Sequence, residues 1–204
     1  LNGTQPVKAG SENHLKNSYG EECMRLINSK DHYGLISILL HWSVALLTIG
    51  LFFLGIWMVD LGYYDDWYYQ ALWWHKGLGF IVILLVVLRW IWRPIAGKPK
   101  AISSSPVWQQ LAAKVVHQLM NLAIVLLAIT GYLIVTAKGE SLGIFDWFSI
   151  PAISKLSVET SDLVSKLHLW SGYFIISLAS FHALAALKHH FINKDATLRR
   201  MLNL

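Results

Sequence analysis

Apolar residues in this chain gather into four long runs rather than alternating with polar ones. Residues 35–59 (25 residues), 115–137 (23) and 167–187 (21) contain no Asp, Glu, Lys or Arg, and a fourth run, 71–92, is interrupted only by Lys76 and Arg89 near its ends. A hydrocarbon core about 30 Å thick calls for about 20 apolar residues in helical form. Each run meets that length, and the two charges in 71–92 sit where long side chains can snorkel to the interface. Membrane-spanning strands would be shorter and would alternate in polarity. The pattern therefore predicts an all-α membrane protein, a four-transmembrane-helix bundle with spans at about 35–59, 71–92, 115–137 and 167–187.

Composition agrees. Of 204 residues, 14% are charged and 55% hydrophobic, where a soluble domain carries about 25% charged residues. One cysteine, Cys23, leaves no disulfide framework and no four-thiolate iron–sulfur cluster. The formal net charge of +5 would suit a nucleic-acid partner, but the basic residues are sorted by membrane side. Arg89, Arg93, Lys98, Lys100 and Lys114 surround the second connector, and Lys188, Lys194, Arg199 and Arg200 follow the fourth span. The first connector, 60–70, has three aspartates and no base, and 138–166 sets three lysines against four acids. The positive-inside rule puts both termini in the cytoplasm, so no nucleic-acid partner is expected. Tryptophans near span ends (Trp67, Trp73, Trp74, Trp92, Trp108, Trp147) suit an interfacial aromatic belt.

Residues 1–23 are polar, lack the apolar core of a secretory signal, and are expected to be a disordered or non-native N-terminal extension. Met24 is read as the biological start, leaving 24–204 as the membrane domain. The connector 94–106, with Pro94, Pro99 and Pro106, reads as a loop outside the bilayer. The segment 138–166 is expected to cap the opposite surface, with a helix start near Ser157.

Histidine carries the functional signal. An ionisable side chain inside a span is a functional hypothesis by default, and His41, His75, His117, His168 and His182 all lie in or at the ends of spans; His14 and His32 lie outside. His168 and His182 are 14 residues apart on span four, which places them on nearly one face and about 21 Å apart along the axis. Matched by depth, His168 pairs with His75 on the outer side and His182 with His41 on the inner side. Facing imidazoles in a four-helix bundle are the arrangement expected for bis-histidine haem. Four positions after each stands a small residue on the same helix face: Ala45, Gly79, Gly172 and Ala186. These are read as clearance for a flat macrocycle, although small residues are also common at membrane helix interfaces. Zinc would recruit Asp, Glu or Cys as well, and no span contains any.

The motifs Ile38-Leu39-Leu40-His41-Trp42, His75-Lys76-Gly77-Leu78-Gly79, His168 through His182, and the tail Lys188-His189-His190-Phe191-Ile192-Asn193-Lys194-Asp195-Ala196-Thr197-Leu198-Arg199-Arg200-Met201 resemble the bacterial cytochrome b561 family, four-helix di-haem b membrane cytochromes. The resemblance implies two b-type haems, the inner ligated by His41 and His182 and the outer by His75 and His168. It implies an electron carrier in the bacterial inner membrane, with no catalytic residue beyond the cofactors and ubiquinone as bound substrate near His189 and His190. Those two histidines read either as proton-exchanging groups or as an interfacial anchor. His117 reads as support for quinone or haem, or as packing. Arg89, Arg93 and Lys76 read as haem propionate partners or as snorkelling residues. Two alternatives stand beside the electron carrier. One is a superoxide:quinone oxidoreductase at the periplasmic face, as some relatives are; the other is a cytochrome anchor for a soluble redox partner docked on 138–166. A periplasmic electron donor or acceptor of unknown identity is expected in each case.

Overall fold

The computed structural model describes residues 26–100 and 106–202. The expectations for residues 1–23, Cys23, His14 and the start at Met24 lie outside the described residues. Four long helices carry the chain back and forth: α1 (Leu35–Val59), α2 (Tyr68–Ala96), α3 (Val107–Thr136) and α4 (Val158–Phe191). Between α3 and α4 lies an antiparallel hairpin of β1 (Leu142–Ile144) and β2 (Phe148–Ile150), and a short α5 (Arg199–Leu202) closes the chain. All four long helices have the length and apolarity to cross a membrane.

The helices outlast the apolar runs. Past the hydrocarbon the backbone still gains from intrahelical hydrogen bonds, so α2, α3 and α4 continue until a local signal stops them. At the start of α4 the Ser157 hydroxyl accepts from the Thr160 N–H at 3.2 Å, and Glu159 stands in the first turn. The expected helix start near Ser157 is thus met. At the end of α2, Gly97 takes φ 73, a left-handed conformation that releases the chain from the helix.

Packing is uneven. α1 lies along α2 and α3 along α4, while contact between the two pairs is sparse. The pairs meet mid-bundle through Val44, Val82, Val86, Ala123, Ile124 and Ile175, whose short or branched side chains let the backbones approach. Outward, Leu46, Phe53, Leu122, Phe181 and Leu184 are exposed, as suits a protein whose solvent is lipid.

The basic end is laced by polar contacts. Asn28 accepts from the Gly34 N–H and the Ser37 hydroxyl and donates to the Gly97 carbonyl, each at 2.8 Å. Trp42 donates to the Met201 carbonyl at 2.9 Å, and Arg200 to the Lys100 carbonyl at 2.8 Å. The chain's two described ends therefore share one face of the bundle. At the other end the hairpin inserts Ile144 and Phe145, both buried, against the start of α2. The Phe145 ring lies where a side chain on Gly77 would stand, so only glycine fits there. This shaped plug is what the 138–166 segment forms; its composition alone had indicated only a surface cap.

Candidate functional site

Two helices carry a seven-residue rhythm that sets the site. On α4 it runs His168, Ile175, His182; on α2 it runs His75, Val82, Arg89. Seven residues are nearly two full turns, so each trio points the same way. Ile175 is 1% exposed and Val82 5% exposed. An apolar layer therefore separates chemistry at the two ends of the bundle.

At the hairpin end, His75 and His168 face each other across the helix pairs, ring centroids 6.2 Å apart and planes at 65°. At the basic end, His41 and His182 do the same at 6.5 Å and 70°. With a metal–imidazole bond of about 2.0–2.1 Å, two imidazoles sharing one metal ion would have centroids about 6.4 Å apart. Both pairs have that spacing. Nδ1 of His41 and Nδ1 of His75 are buried without a hydrogen-bond partner among the described residues. Leaving such an atom unsatisfied costs about 1–3 kcal/mol, and on His75 it lies on the ring edge beside Gly55 of α1. Among the described residues no three His, Cys, Asp or Glu converge on one point, whereas a zinc site takes three or four protein ligands. Two opposed imidazoles per site instead suit an iron whose remaining ligands come from a macrocycle.

His168 is held more firmly than its partner. Its Nδ1 lies 2.9 Å from the Thr130 hydroxyl, which itself donates to the Leu126 carbonyl at 2.7 Å. With that hydroxyl proton committed, the imidazole Nδ1–H is the donor, and the lone pair is left on Nε2. Thr130 was not singled out in the sequence; a buried hydroxyl in an apolar helix was the available signal. Glycine does related work on the other helices. A Cβ on Gly55 would stand 3.1 Å from His75 Cε1, and one on Gly131 3.3 Å from His168 Cε1. α1 and α3 thus lie close against the imidazole edges.

The expected clearance residues are placed less uniformly. A Cβ on Gly79 would meet open space, while one on Gly172 would touch the Phe52 ring at 3.6 Å. Ala45 and Ala186 are half-buried on the inner faces of α1 and α4. His117 reaches the edge of His182, centroids 4.8 Å apart, which is too close for an ion between them. Arg89 is half-buried within electrostatic reach of His41, His117 and His182, whereas Arg93 is exposed.

Beyond α4 the tail folds back. His189 Nδ1 contacts the Asp195 carboxylate at 2.6 Å, with Asn193 at 3.2 Å from the same nitrogen. Burial pushes the Asp195 carboxyl up, but hydrogen bonds from Thr197, with His189 beside it, outweigh that and hold it below the usual carboxylate range. The stabilisation from this pairing is present above the ordinary aspartate value of about 3.9 and is lost as pH falls through the lowered one. His190 is half-buried, its Nδ1 without a hydrogen-bond partner among the described residues and its ring against Phe191.

Known proteins share this arrangement of sequence. The chain is 40% identical over 179 residues to cytochrome b561 homolog 2 of Escherichia coli strain K12, covering 88% of this chain and 95% of that protein. It is 31% identical over 131 residues to cytochrome b561 homolog 1 of the same organism, covering 63% of this chain and 72% of that one. It is also 32% identical over 183 residues to the "Probable superoxide oxidase CybB" of Yersinia pestis, covering 83% of this chain and 95% of that one. The profile of the prokaryotic cytochrome b561 family matches residues 32–204, nearly all of the described bundle, and the chain belongs to that family of bacterial membrane electron-transfer proteins.

Proposed function

We propose that this member of the cytochrome b561 family binds two b-type haems, one per leaflet, and carries single electrons across the inner membrane to or from the quinone pool. The observation that carries the reading is the pair of opposed imidazoles at each end of the bundle, spaced 6.2 Å and 6.5 Å. His75 and His168 would hold the outer haem, and His41 and His182 the inner. A haem iron held by two imidazoles would supply one-electron transfer rather than oxygen binding.

The chain's own residues do the rest. Thr130 fixes the tautomer and plane of His168, as outer partners of ligating histidines do. Val82 and Ile175 keep water out between the two sites. Arg89 supplies positive charge for a cofactor carboxylate at the inner site. At the basic end, Asp195 orients His189, whose other ring nitrogen is left to exchange a proton. Reducing a quinone takes protons as well as electrons. A histidine held by a carboxylate about 10 Å along the helix from His182 suits that need, with ubiquinone as the substrate of choice.

Pyridine-haemochrome quantification is expected to give two b haems per chain, and His189→Ala to keep both while slowing reduction by ubiquinol about tenfold or more. One haem in the wild type sinks the di-haem reading; unchanged ubiquinol kinetics in the variant sinks the His189 role. Thr130→Val is expected to retain the fold but weaken retention of the outer haem by about 10–100-fold. It should also raise that haem's midpoint potential, because His168 loses an acceptor that makes it a stronger base. Redox titration of the purified variant checks the sign.

Likeness to a protein named as a superoxide oxidase supports a second reading, superoxide as the outer electron donor. An anion should be drawn by positive charge, and the hairpin-end connectors carry Asp60, Asp65, Asp66, Glu140 and Asp146 against Lys138 and Lys155. Superoxide generated beside oxidised protein distinguishes the two readings: rapid haem reduction favours the second.

A further inference from the structure

Outside the histidine pairs, the hairpin end holds an open cleft of about 330 Å³ with an unusual lining. Its walls are the indoles of Trp73, Trp74 and Trp147 around the Phe145 ring; Phe145 stands 4.7 Å from Trp73, 5.8 Å from Trp74 and 5.2 Å from Trp147, centroid to centroid. Leu78 and Ile81, further along α2 and half-buried, complete the lining with the exposed Asp146. Phe145 takes φ 40 at the hairpin turn, a conformation uncommon for a residue with a side chain. That turn presents Asp146 and Trp147 beside the start of α2.

An aromatic belt alone would scatter indoles around the bundle. Here they converge, and the polar group among them is a carboxylate that makes no ion pair or side-chain hydrogen bond among the described residues. Indole faces carry negative potential and attract cations, organic ammonium groups above all. The carboxylate adds a full charge of the same sign. Trp74, Leu78 and Ile81 share one face of α2, so the lining runs from a carboxylate at the membrane boundary to apolar side chains further along the helix. Its charge is complementary to a cation with a hydrocarbon tail, and unfavourable to an anionic lipid.

We propose that this cleft is a binding site for the ammonium headgroup of an outer-leaflet phospholipid, with Trp73, Trp74 and Trp147 enclosing the ammonium, Asp146 pairing with it, and Leu78 and Ile81 receiving an acyl chain. The lipid would brace the hairpin plug against α2.

Native mass spectrometry of the purified protein, offered equal amounts of phosphatidylethanolamine and phosphatidylglycerol with identical chains, tests this. The wild type is expected to retain the ethanolamine lipid about fivefold better. Asp146→Asn should bring the two lipids to parity, and Trp74→Leu should lower ethanolamine-lipid binding about fivefold, while Trp147→Phe, which keeps a ring face, should retain most of it. Circular dichroism confirms that each variant is folded; because Asp146 is exposed, Asp146→Asn decides the matter should Trp74→Leu fail to fold. No headgroup preference in the wild type overturns the proposal, as does a preference that survives Asp146→Asn. Displacement of the lipid by a short-chain quinone whose own binding also needs Trp74 would make the cleft a quinone site and overturn it equally.

Discussion

His168→Ala is expected to halve the haem content of the purified protein, from two per chain to one, while the remaining haem keeps its spectrum. The lost haem is the one at the hairpin end, where His168 stands opposite His75 at 6.2 Å. Independence of the two sites follows from their separation. The histidines on α4 are about 21 Å apart along the axis, with the buried Val82 and Ile175 between them, and effects at sites more than about 10 Å apart are close to additive. The loss should also be felt in the fold. A ligand present at about 1,000 times its dissociation constant stabilises by about 4 kcal/mol, and at that end the two helix pairs are otherwise joined mainly through the hairpin, whose β1 contacts both α2 and α3. The variant should therefore melt earlier, and proteoliposomes containing it should fail to pass electrons from one face to the other. His75→Ala should reproduce all of this. Two haems retained in either variant, measured by pyridine haemochrome against protein, would refute the outer ligand pair.

Much of this architecture is legible in the chain because it depends on position along single helices. Four long apolar runs announce the helices, and the interval between His168 and His182 puts them on one face before any packing is known. Depth matching then selects His75 and His41, and the structure brings both into opposition. What composition does not disclose depends on contacts between elements distant in sequence. Thr130 meets His168 from another helix, and the Phe145 plug needs the absence of a side chain at Gly77. Gly55 and Gly131 were open to notice, since glycine inside a helix costs about 1 kcal/mol relative to alanine and so asks for a packing reason. The role of Asp195 is equally hidden, because a carboxylate in a basic tail has no evident partner until the chain folds back on His189.

At the basic end His182 has two histidine neighbours, His41 and His117, and the expected behaviour of the variants separates ligand from neighbour. His182 faces His41 at 6.5 Å but touches His117 at 4.8 Å. An ion held between two opposed imidazoles needs the wider gap of about 6.4 Å, so His41 is the proposed partner, while His117 lies against the edge of the His182 ring. His182→Ala and His41→Ala are each expected to lower the haem content to one per chain, and both should abolish reduction by ubiquinol, since the surviving haem lies at the far end. His117→Ala should keep two. Its effect should appear instead in the midpoint potential of the inner haem, because an imidazole against His182 and within reach of Arg89 contributes to the field there. Haem content of one in His117→Ala together with two in His41→Ala would reverse the assignment, making α3 rather than α1 the helix that completes the inner site. That exchange would also require α3 and α4, already the close-packed pair, to open by the width of a macrocycle. The present geometry instead sets His41 and His182, on different helix pairs, 6.5 Å apart.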